Sequence, residues 1–474
     1  MHSIAVSSGD GIGPEIMKVT LRVLRESGAD LQIHEVEIGE RVYLKGFTTG
    51  IEPHTWEILK NASCFLKAPI TTPQGGGFKS LNVTIRNALG LYANLRPSIS
   101  YFPFIATLHP HMNVMIIREN EEDLYIGTEY RQTPHVAVAH KLISREGCER
   151  IHRYAFEYAR RWGHKKVSCF SKDNILKLSD GLFHTIYNEV GQEYPDLEKE
   201  HWIIDIGAAK LADSPTNFDV IVLPNLYGDI LSDIAAQISG SVGLAPSANI
   251  GDNSAMFEAV HGSAPRLAGK NIANPSALLL SSVMMMEYLG EGEVSRRIRD
   301  AWSCTIEQGF HTKDIFDQKI SQYLVGTKEF GEAVIKNLGN QPQTLSCFCP
   351  KKHHKIISSK VCYRKEVERS LVGVDLFIYT KENPLTFHQE LSKVNPSPFY
   401  LQAIFNRGVQ IWPEGHTETF CIEQMQCRFI LETLPVPPIE IVELIYRLVK
   451  SGFDLIKSEN LYKIDGVLGY SSSE

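Results

Sequence analysis

No stretch of this sequence is long and apolar enough to cross a bilayer, since the longest apolar run, residues 278–286, is interrupted by serines. The first eight residues lack the basic and apolar segments of a signal peptide. The nine cysteines are scattered without the spacing of a disulfide framework, which is typical of reduced thiols in a cytosol. These absences predict a cytoplasmic protein with no membrane segment.

Basic residues are also too few to give the chain a positive net charge. The sequence has 48 Lys and Arg against 55 Asp and Glu, a formal net charge of −7. This balance argues against nucleic acid as a partner, so any anion site must be a local cluster of cations. The 474 residues, 43% of them hydrophobic, are enough for two or three domains with large cores.

A local cluster of cations follows a triple-glycine loop. Ser80 and Asn82 lie just ahead of Arg86 and Arg96, and Arg118 ends a later apolar run. Guanidinium groups pair with carboxylates through two hydrogen bonds and stay charged at any working pH, while Ser and Asn supply shorter neutral donors. The pattern favours a pocket for a small anion with several carboxylates. The alternative is a solvated helix face whose arginines are merely exposed.

Carboxylates form a complementary set. Asp205 ends the apolar run 202–205, and the pattern over 219–233 predicts a strand, then a turn at 225–228, then a helix starting near Asp229. Asp229 and Asp233 are one helical turn apart, so two like charges share a face. A divalent cation such as Mg²⁺ or Mn²⁺ would neutralise them. The alternative is an acidic first turn that suits the helix dipole.

Two further features bear on chemistry. Lys172 follows a predicted strand over 166–171; it is either a surface charge or, if desolvated, a proton carrier. The glycine-rich segment 9–13 follows the first strand, but it has neither the G-x-G-x-x-G spacing nor the later acidic residue of a dinucleotide-binding fingerprint. The glycine-rich segment therefore does not by itself predict a cofactor loop.

The order of apolar patterns predicts an α/β fold. Short apolar runs at 4–6, 64–66, 203–204 and 220–222 alternate with helical patterns such as 146–162 and 275–289. The composition changes at 340–362, where prolines and a Cys-Phe-Cys-Pro segment precede Lys and His residues. This segment predicts an exposed linker, and its spacing is not that of a zinc finger. Strand patterns at 371–379, 399–404 and 427–430 and a helix at 438–451 predict a small α+β unit, ferredoxin-like in order.

Seven ordered blocks resemble the decarboxylating dehydrogenases of β-hydroxy acids, and among them the isocitrate dehydrogenases of the isocitrate/isopropylmalate dehydrogenase family. The resemblance covers residues 1 to about 335, and a subset of prokaryotic members carries a similar C-terminal extension. The blocks are 9–15, 68–73, 80–96, 118–125, 172–174, 225–233 and 261–265. The resemblance implies a large domain from 1–98 and 240–338, a small domain at 99–239 with a dimer clasp, and a cleft between them. A linker at 339–362 and an accessory α+β domain at 363–474 follow.

The resemblance also assigns roles. Tyr125 and Lys172 correspond to the catalytic acid/base pair. The substrate-binding residues are Ser80, Asn82, Arg86, Arg96, Arg118 and Asn174, and the metal ligands are Asp205, Asp229 and Asp233. In the family Lys172, Asn174 and Asp205 come from the neighbouring subunit, which implies a homodimer with shared sites.

For the cofactor, the resemblance implies that Thr71 and Thr72 approach the nicotinamide end. The adenosine end falls to the loop 261–274, with His261, Gly262, Ala264, Arg266 and Asn274. Arg266 stands where several NAD-dependent members carry Asp, so its charge predicts the 2′-phosphate of NADP, with Lys270 and Lys313 nearby. NADP-dependent relatives often have Tyr at the position of Leu267. Leu267 therefore argues against NADP, and NAD stays as the alternative cofactor.

The function implied is NADP-dependent, Mg²⁺- or Mn²⁺-dependent oxidative decarboxylation of isocitrate to 2-oxoglutarate, a reaction of the tricarboxylic acid cycle. One alternative is an NAD-dependent dehydrogenase of a related malate, such as homoisocitrate or isopropylmalate. The other is a regulatory subunit that binds isocitrate without turning it over. The intact set of acid/base and metal residues argues against the second alternative.

Overall fold

The computed structural model describes residues 1–71, 80–349, 366–415, 419–431 and 437–471. The chain divides into two compact units. The first comprises Met1–Ile126 and Lys141–Val361, and the second comprises Gly127–His140 and Cys362–Glu474. The grouping of Gly127–His140 with the C-terminal residues has no signal in the local sequence.

The strands within the described residues are β1 (His2–Ser7), β2 (Leu31–Glu35), β3 (Cys64–Lys67), β4 (Ala93–Ile99), β5 (Asn113–Glu119), β6 (Glu129–Thr133), β7 (Val136–Ala139), β8 (Lys166–Ser171), β9 (Glu198–Ile203), β10 (Val220–Leu223), β11 (Pro246–Ile250), β12 (Ala255–Ala259), β13 (Phe310–His311), β14 (Tyr323–Leu324), β15 (Arg369–Tyr379), β16 (Phe399–Asn406), β17 (Val409–Trp412), β18 (Gln424–Leu431), β19 (Asp454–Ile464) and β20 (Val467–Leu468). The helices are α1 (Gly13–Glu26), α2 (Glu40–Leu44), α3 (Pro53–Asn61), α4 (Leu81–Ala88), α5 (Arg145–Trp162), α6 (Ser179–Gly191), α7 (Ile204–Asp213), α8 (Asn225–Ile238), α9 (Ser276–Tyr288), α10 (Gly292–Glu307), α11 (Thr327–Lys336), α12 (Pro384–Leu391) and α13 (Ile439–Lys450).

The first unit is built on one ten-stranded mixed sheet, in the order β2-β1-β3-β12-β11-β4-β5-β10-β8-β9. Strand β11 is antiparallel to both neighbours, and β4 and β5 are antiparallel to each other. Alternate residues of β5 enter different cores: Met115 and Ile117 pack on one face, Val114 and Ile116 on the other. The sheet is therefore covered on both faces, which explains the continuous apolar runs and confirms the predicted α/β fold.

Differences from the sequence-based boundaries change the setting of functional residues at two places. The strand predicted over 203–204 ends at Ile203, and α7 begins at Ile204, so Asp205 lies in the first turn of a helix. The turn predicted at 225–228 is wrong as well, because α8 begins at Asn225, directly after Pro224. Asp229 is therefore the fifth residue of α8, and no acidic residue lies in the first turn. Helix-dipole effects fade beyond the first turn, so an acidic first turn does not account for Asp229 and Asp233.

The second unit contains the hairpin β6–β7 and a six-stranded sheet in the order β17-β16-β18-β15-β19-β20. Without β17 and β20, the element order is β15-α12-β16-β18-α13-β19, and neighbouring strands are antiparallel. This is the βαββαβ arrangement of ferredoxin-like folds. The small α+β unit predicted for the C-terminal part is thus confirmed.

Within the described residues, no helix has both the length and the apolar character needed to span a membrane. The eight cysteines described are free thiols, and Cys347 and Cys349 are exposed. His353 and His354, the other half of the Cys/His grouping noted in the sequence, lie outside the described residues.

Candidate active site

A polar cavity of about 230 Å³ lies in the first unit, lined by residues of strands β3, β4, β5 and β12 and of helices α4 and α8. It brings together most of the predicted substrate, acid/base and metal residues. Its lining is Lys67, Pro69, Ile70, Ser80, Asn82, Val83, Arg86, Arg96, Arg118, Tyr125, Asp229, Asp233, Glu258, Ala259, Val260, His261 and Gly262.

Three buried guanidinium groups supply the positive charge of the cavity. Arg86 is on α4, Arg96 on β4 and Arg118 on β5, and each is no more than 5% exposed. Burial lowers the pKa of Arg118 to about 9, with Arg96 and Arg86 adding repulsion. Burial likewise lowers the pKa of Arg96. The three fixed guanidinium groups suit the binding of carboxylates, and each of them also contacts a carboxylate of the lining. The exposed-helix alternative for these arginines is wrong.

Arg118 is fixed by α8. Its Nε donates to the backbone oxygen and to Oδ1 of Asn225, each at 3.0 Å, and its Nη2 donates to the same Oδ1 at 2.7 Å. Its Nη1 pairs with Asp229 Oδ1. Gly228 allows this approach, because a Cβ built there would lie 2.5 Å from Arg118 Cγ. The close contact between α8 and Arg118 is therefore possible only because residue 228 has no side chain.

We expect Gly228→Ala to destabilise the protein by about 1–3 kcal/mol, the usual cost of overpacking a well-packed site. Glycine-to-alanine changes inside helices normally stabilise, by about 0.5–1 kcal/mol. Gly181 in α6 is the matched control, since a Cβ there meets nothing closer than 4.0 Å. Urea unfolding of both variants checks the opposite signs. Equal shifts in the two would contradict the steric role of Gly228.

Arg96 is held by neutral groups. Its Nε donates to Asn94 Oδ1 at 2.7 Å, and its Nη1 donates to Ser232 Oγ at 2.7 Å. The same Nη1 lies 3.2 Å from Asp229 Oδ1 and 3.5 Å from Asp233 Oδ1. The neutral partners orient the guanidinium, while Asp229 and Asp233 partly balance its charge.

Arg86 belongs to a buried ionic network that sequence reasoning missed. Glu258 on β12 pairs with Lys67 Nζ at 2.6 Å and with Arg86 Nη2 at 3.3 Å. Burial opposes the charged form of Glu258, but Lys67 and Arg86 hold its pKa at about 2. Arg86 Nε is buried and has no hydrogen-bond partner among the described residues. It is therefore a donor available to a bound anion.

Tyr125 and the aspartates of α8 meet at the same cavity. Tyr125 Oη donates to Asp229 Oδ2 at 2.6 Å, and the Arg118 guanidinium lies over its ring. Burial and this hydrogen bond raise the pKa of Tyr125, so the phenol stays protonated. Although burial works against ionisation of Asp229, Arg118 and Arg96 lower its pKa. Asp229 and Asp233 present carboxylate oxygens at one side of the cavity, the ligand type that a hard divalent cation requires.

Three predicted residues do not line this cavity: Lys172, Asn174 and Asp205. Lys172 Nζ forms an ion pair with Asp205 Oδ1 at 2.8 Å. Asn174 is exposed, and the Asp205 side chain is 69% exposed. The hydrogen bond from Lys172 lowers the pKa of Asp205. These residues form a second group of polar side chains on the surface of the same unit.

A second cavity, of about 720 Å³, shares His261 and Gly262 with the first. The remaining residues of this cavity are Ile12, Ser241, Gly243, Ala264, Leu267, Ile272, Ala273, Asn274, Lys313 and Asp314. Asp314, which sequence reasoning missed, accepts hydrogen bonds from Ser241 Oγ at 2.7 Å and Asn274 Nδ2 at 3.0 Å. The apolar lining with a few fixed polar groups is typical of a cofactor site.

Of the remaining predicted cofactor residues, Arg266 and Thr71 lie near residues that line this cavity. Arg266 is exposed on a short 3-10 helix, Pro265–Leu267, and does not line it. Thr71 Oγ1 is 2.6 Å from Ser263 Oγ, next to the lining residues, while Thr72 lies outside the described residues. Gly11 has a positive φ of 59°, and a Cβ there would lie 2.0 Å from Ser263 O. The glycine-rich segment therefore packs against the 261–264 loop.

Two family models match the chain: isocitrate/isopropylmalate dehydrogenase over residues 3–334, and bacterial isocitrate dehydrogenase, C-terminal domain, over residues 369–474. Isocitrate dehydrogenase (NADP) of Rickettsia bellii is 49% identical over 99% of this chain and 98% of that protein. Isocitrate dehydrogenase (NAD) subunit 2 of Saccharomyces cerevisiae is 42% identical over 71% of the chain and 90% of that protein. A crystal structure of a Thermus thermophilus protein superposes with a TM-score of 0.94 at 40% identity, covering 100% of this chain and 96% of that one.

Proposed function

The chain belongs to the isocitrate/isopropylmalate dehydrogenase family, and from this membership we propose that it catalyses the oxidative decarboxylation of isocitrate to 2-oxoglutarate and carbon dioxide with NADP. The observation that carries the proposal is the cavity itself. Three buried guanidinium groups, Ser80 and Asn82 face the carboxylates of Asp229 and Asp233 in about 230 Å³. A small tricarboxylate complements this lining.

The clamp on the substrate consists of Arg86, Arg96 and Arg118, which bind two of its carboxylates. Ser80 and Asn82 donate to the third carboxylate, which distinguishes isocitrate from isopropylmalate with its apolar group. The unpartnered Nε of Arg86 supports this assignment, because a carboxylate would supply its missing acceptor. Holding the trianion on fixed groups also orients the carbon that reacts.

Asp229 and Asp233, with Asp205 of a neighbouring subunit, would hold Mg²⁺ or Mn²⁺. The donor set fits, because all ligands are carboxylate oxygens and the Asp233 side chain, which lines the cavity, is 60% exposed. When bound, the cation supplies Lewis-acid polarisation of substrate oxygens, and NADP supplies the hydride acceptor.

Lys172, as the neutral amine, takes the proton of the substrate hydroxyl and becomes an ammonium group, and Tyr125 gives its phenolic proton to the carbon that has lost carbon dioxide. Burial and the hydrogen bond to Asp229 raise the pKa of Tyr125 and keep its hydroxyl protonated, and its position in the cavity lining supports its role as the proton donor. Lys172 directly follows β8, and its Nζ forms an ion pair with Asp205 at 2.8 Å. Lys172 does not line the cavity of its own chain. In this proposal it therefore enters the cavity of a second copy of the chain.

A homodimer is therefore part of the proposal. Ile206 on α7 and Ile230 and Ile234 on α8 are exposed apolar residues on the helices that carry Asp205, Asp229 and Asp233. Burial of these residues against the same helices of a second copy would give an isologous interface next to both halves of the site. A cytoplasmic location also belongs to the proposal, supported by nine cysteines without framework spacing.

NADP occupies the cavity of about 720 Å³ in this proposal. His261, Gly262, Ala264 and Asn274 contact the adenosine end, and Thr71 contacts the nicotinamide end. Arg266 and Lys313 provide positive charge for the 2′-phosphate. Asp314 already accepts hydrogen bonds from Ser241, Asn274 and Thr312, so its carboxylate is occupied within the protein.

The proposal is tested with purified chain, Mg²⁺ and each dinucleotide, by following absorbance of the reduced nicotinamide. We expect turnover of isocitrate with NADP, at least about tenfold better in kcat/KM than with NAD, a difference of about 1.4 kcal/mol. Isopropylmalate and homoisocitrate are the comparison substrates. Preferential turnover of either one, or binding of isocitrate without turnover, would contradict the proposal.

A further inference from the structure

A group of metal-ligating side chains lies outside both cavities. Asp173 follows β8, His184 lies on α6 and His201 lies on β9. One ligand atom of each residue lies within 4.8 Å of the others. Asp173 Oδ2 is 2.7 Å from His184 Nδ1 and 3.8 Å from His201 Nε2. Two imidazole nitrogens thus converge on one carboxylate oxygen, from three different elements of the fold.

We propose that Asp173, His184 and His201 form a site for a divalent transition metal ion, with Zn²⁺ as the preferred occupant. Imidazole nitrogen suits Zn²⁺, whereas Mg²⁺ prefers oxygen ligands alone. Ligands 2.0–2.1 Å from a tetrahedral zinc ion lie about 3.3 Å from one another. The two separations from Asp173 Oδ2, 2.7 and 3.8 Å, bracket that value. Small side-chain rotations are therefore enough to accommodate the ion.

The surroundings suit a metal that enters from solvent. The three side chains are 18–26% exposed, so the group is neither sealed nor fully solvated. The imidazole rings are stacked, with centroids 3.6 Å apart, and Ser171 Oγ lies 2.8 Å from His201 Nε2. Three protein ligands leave a fourth position for water.

A metal ion at this site would affect the position of the segment that carries Lys172. Asp173 directly follows Lys172, so a bound ion would tie this segment to α6 and β9. The ion would act as a clamp on one side of the reaction centre, separate from the carboxylates of α8. This consequence rests on the proposed function, whereas metal binding itself does not.

Cobalt titration of the full-length protein tests the site. Co²⁺ is added to metal-free protein in saturating Mg²⁺, which occupies carboxylate sites, and visible absorption is recorded. We expect about one equivalent with the strong visible bands of tetrahedral Co²⁺, displaced by Zn²⁺. His184→Asn and His201→Gln should each weaken binding more than about 100-fold, beyond the usual effect of losing an outer-shell partner. Both amides preserve a hydrogen-bonding atom near the lost nitrogen, so circular dichroism should stay unchanged.

The exposed His111 on the same unit provides the control, and His111→Ala should bind Co²⁺ like the parent protein. Absence of tetrahedral Co²⁺ in the parent protein would overturn the proposal. So would equal binding in all four proteins, which would locate the metal elsewhere. Sulfur-to-cobalt charge-transfer bands that persist in both histidine variants would also overturn it, by assigning the ion to thiols. None of these outcomes depends on isocitrate turnover.

Discussion

Lys172→Met and Tyr125→Phe should each lower kcat for isocitrate about 100- to 10,000-fold, the range typical of losing a positioned general acid or base. Methionine keeps the length of the lysine side chain but cannot take a proton, and phenylalanine keeps the tyrosine ring without its hydroxyl. The hydroxyl of Tyr125 lies 2.6 Å from Asp229 Oδ2, so its loss removes both the proton and this contact. Steady-state kinetics with saturating Mg²⁺ and NADP measure the effect.

Combining the two inactive variants separates a shared site from a site within one chain. Tyr125 lines the cavity and Lys172 does not, so we expect each active site to take Lys172 from the other subunit. A heterodimer of one Lys172→Met chain and one Tyr125→Phe chain would then have one intact site and one doubly altered site. Purified through two different tags, it should show about half of the activity of the parent dimer.

The control is a doubly tagged dimer in which both chains carry Lys172→Met, and it should remain inactive. A heterodimer no more active than this control would mean that both residues serve the same chain's cavity. Full turnover by either single variant would remove that residue from the proton transfers. The experiment therefore distinguishes the arrangement of the site from the chemistry assigned to its residues.

Residues with a local signal could be predicted from the sequence. Buried strands appear as apolar runs, which is why β5, β8 and β10 were found, and Arg86, Arg96 and Arg118 stand in a distinctive motif. The start of α8 was misjudged because Asn225–Gly228 has turn-like composition. Only the structure reveals that this glycine lies against Arg118. Local composition reports what a segment prefers, and tertiary contact can override that preference.

Residues whose role depends on distant partners could not be found in this way. Lys67 and Glu258 look like ordinary charged residues at the ends of short strands. They are directly opposite each other because β3 and β12 are parallel neighbours in the sheet. Asp314 is similar, since its partners Ser241 and Asn274 come from separate segments. To predict such pairs, one must know the order of the strands in the sheet, which a single sequence does not specify.

Arg118→Lys is expected to lower kcat/KM for isocitrate at least about 100-fold, equivalent to about 2.7 kcal/mol of transition-state stabilisation. The guanidinium is 1% exposed and bound on two edges by Asn225 and Asp229. An ammonium group keeps the charge but cannot reproduce the planar fork, so Asn225 loses donors and the substrate carboxylate loses a paired contact. Because lysine retains the positive charge, a loss of kcat/KM in Arg118→Lys relative to the parent protein reports on the geometry of the guanidinium group.

Arg145→Lys is the matched control, because Arg145 forms two hydrogen bonds with Glu189, at 2.7 and 3.0 Å, on an exposed surface. Exposed pairs contribute about 0–1 kcal/mol, so its kinetics should equal those of the parent protein. A similar loss in both variants would indicate a general effect of replacing arginine. An unchanged kcat/KM in Arg118→Lys would mean that charge alone binds the substrate. The paired donors of Arg118 would then have no role in catalysis. Since Arg118 is the most buried of the three arginines, this result would contradict a carboxylate clamp that depends on guanidinium geometry.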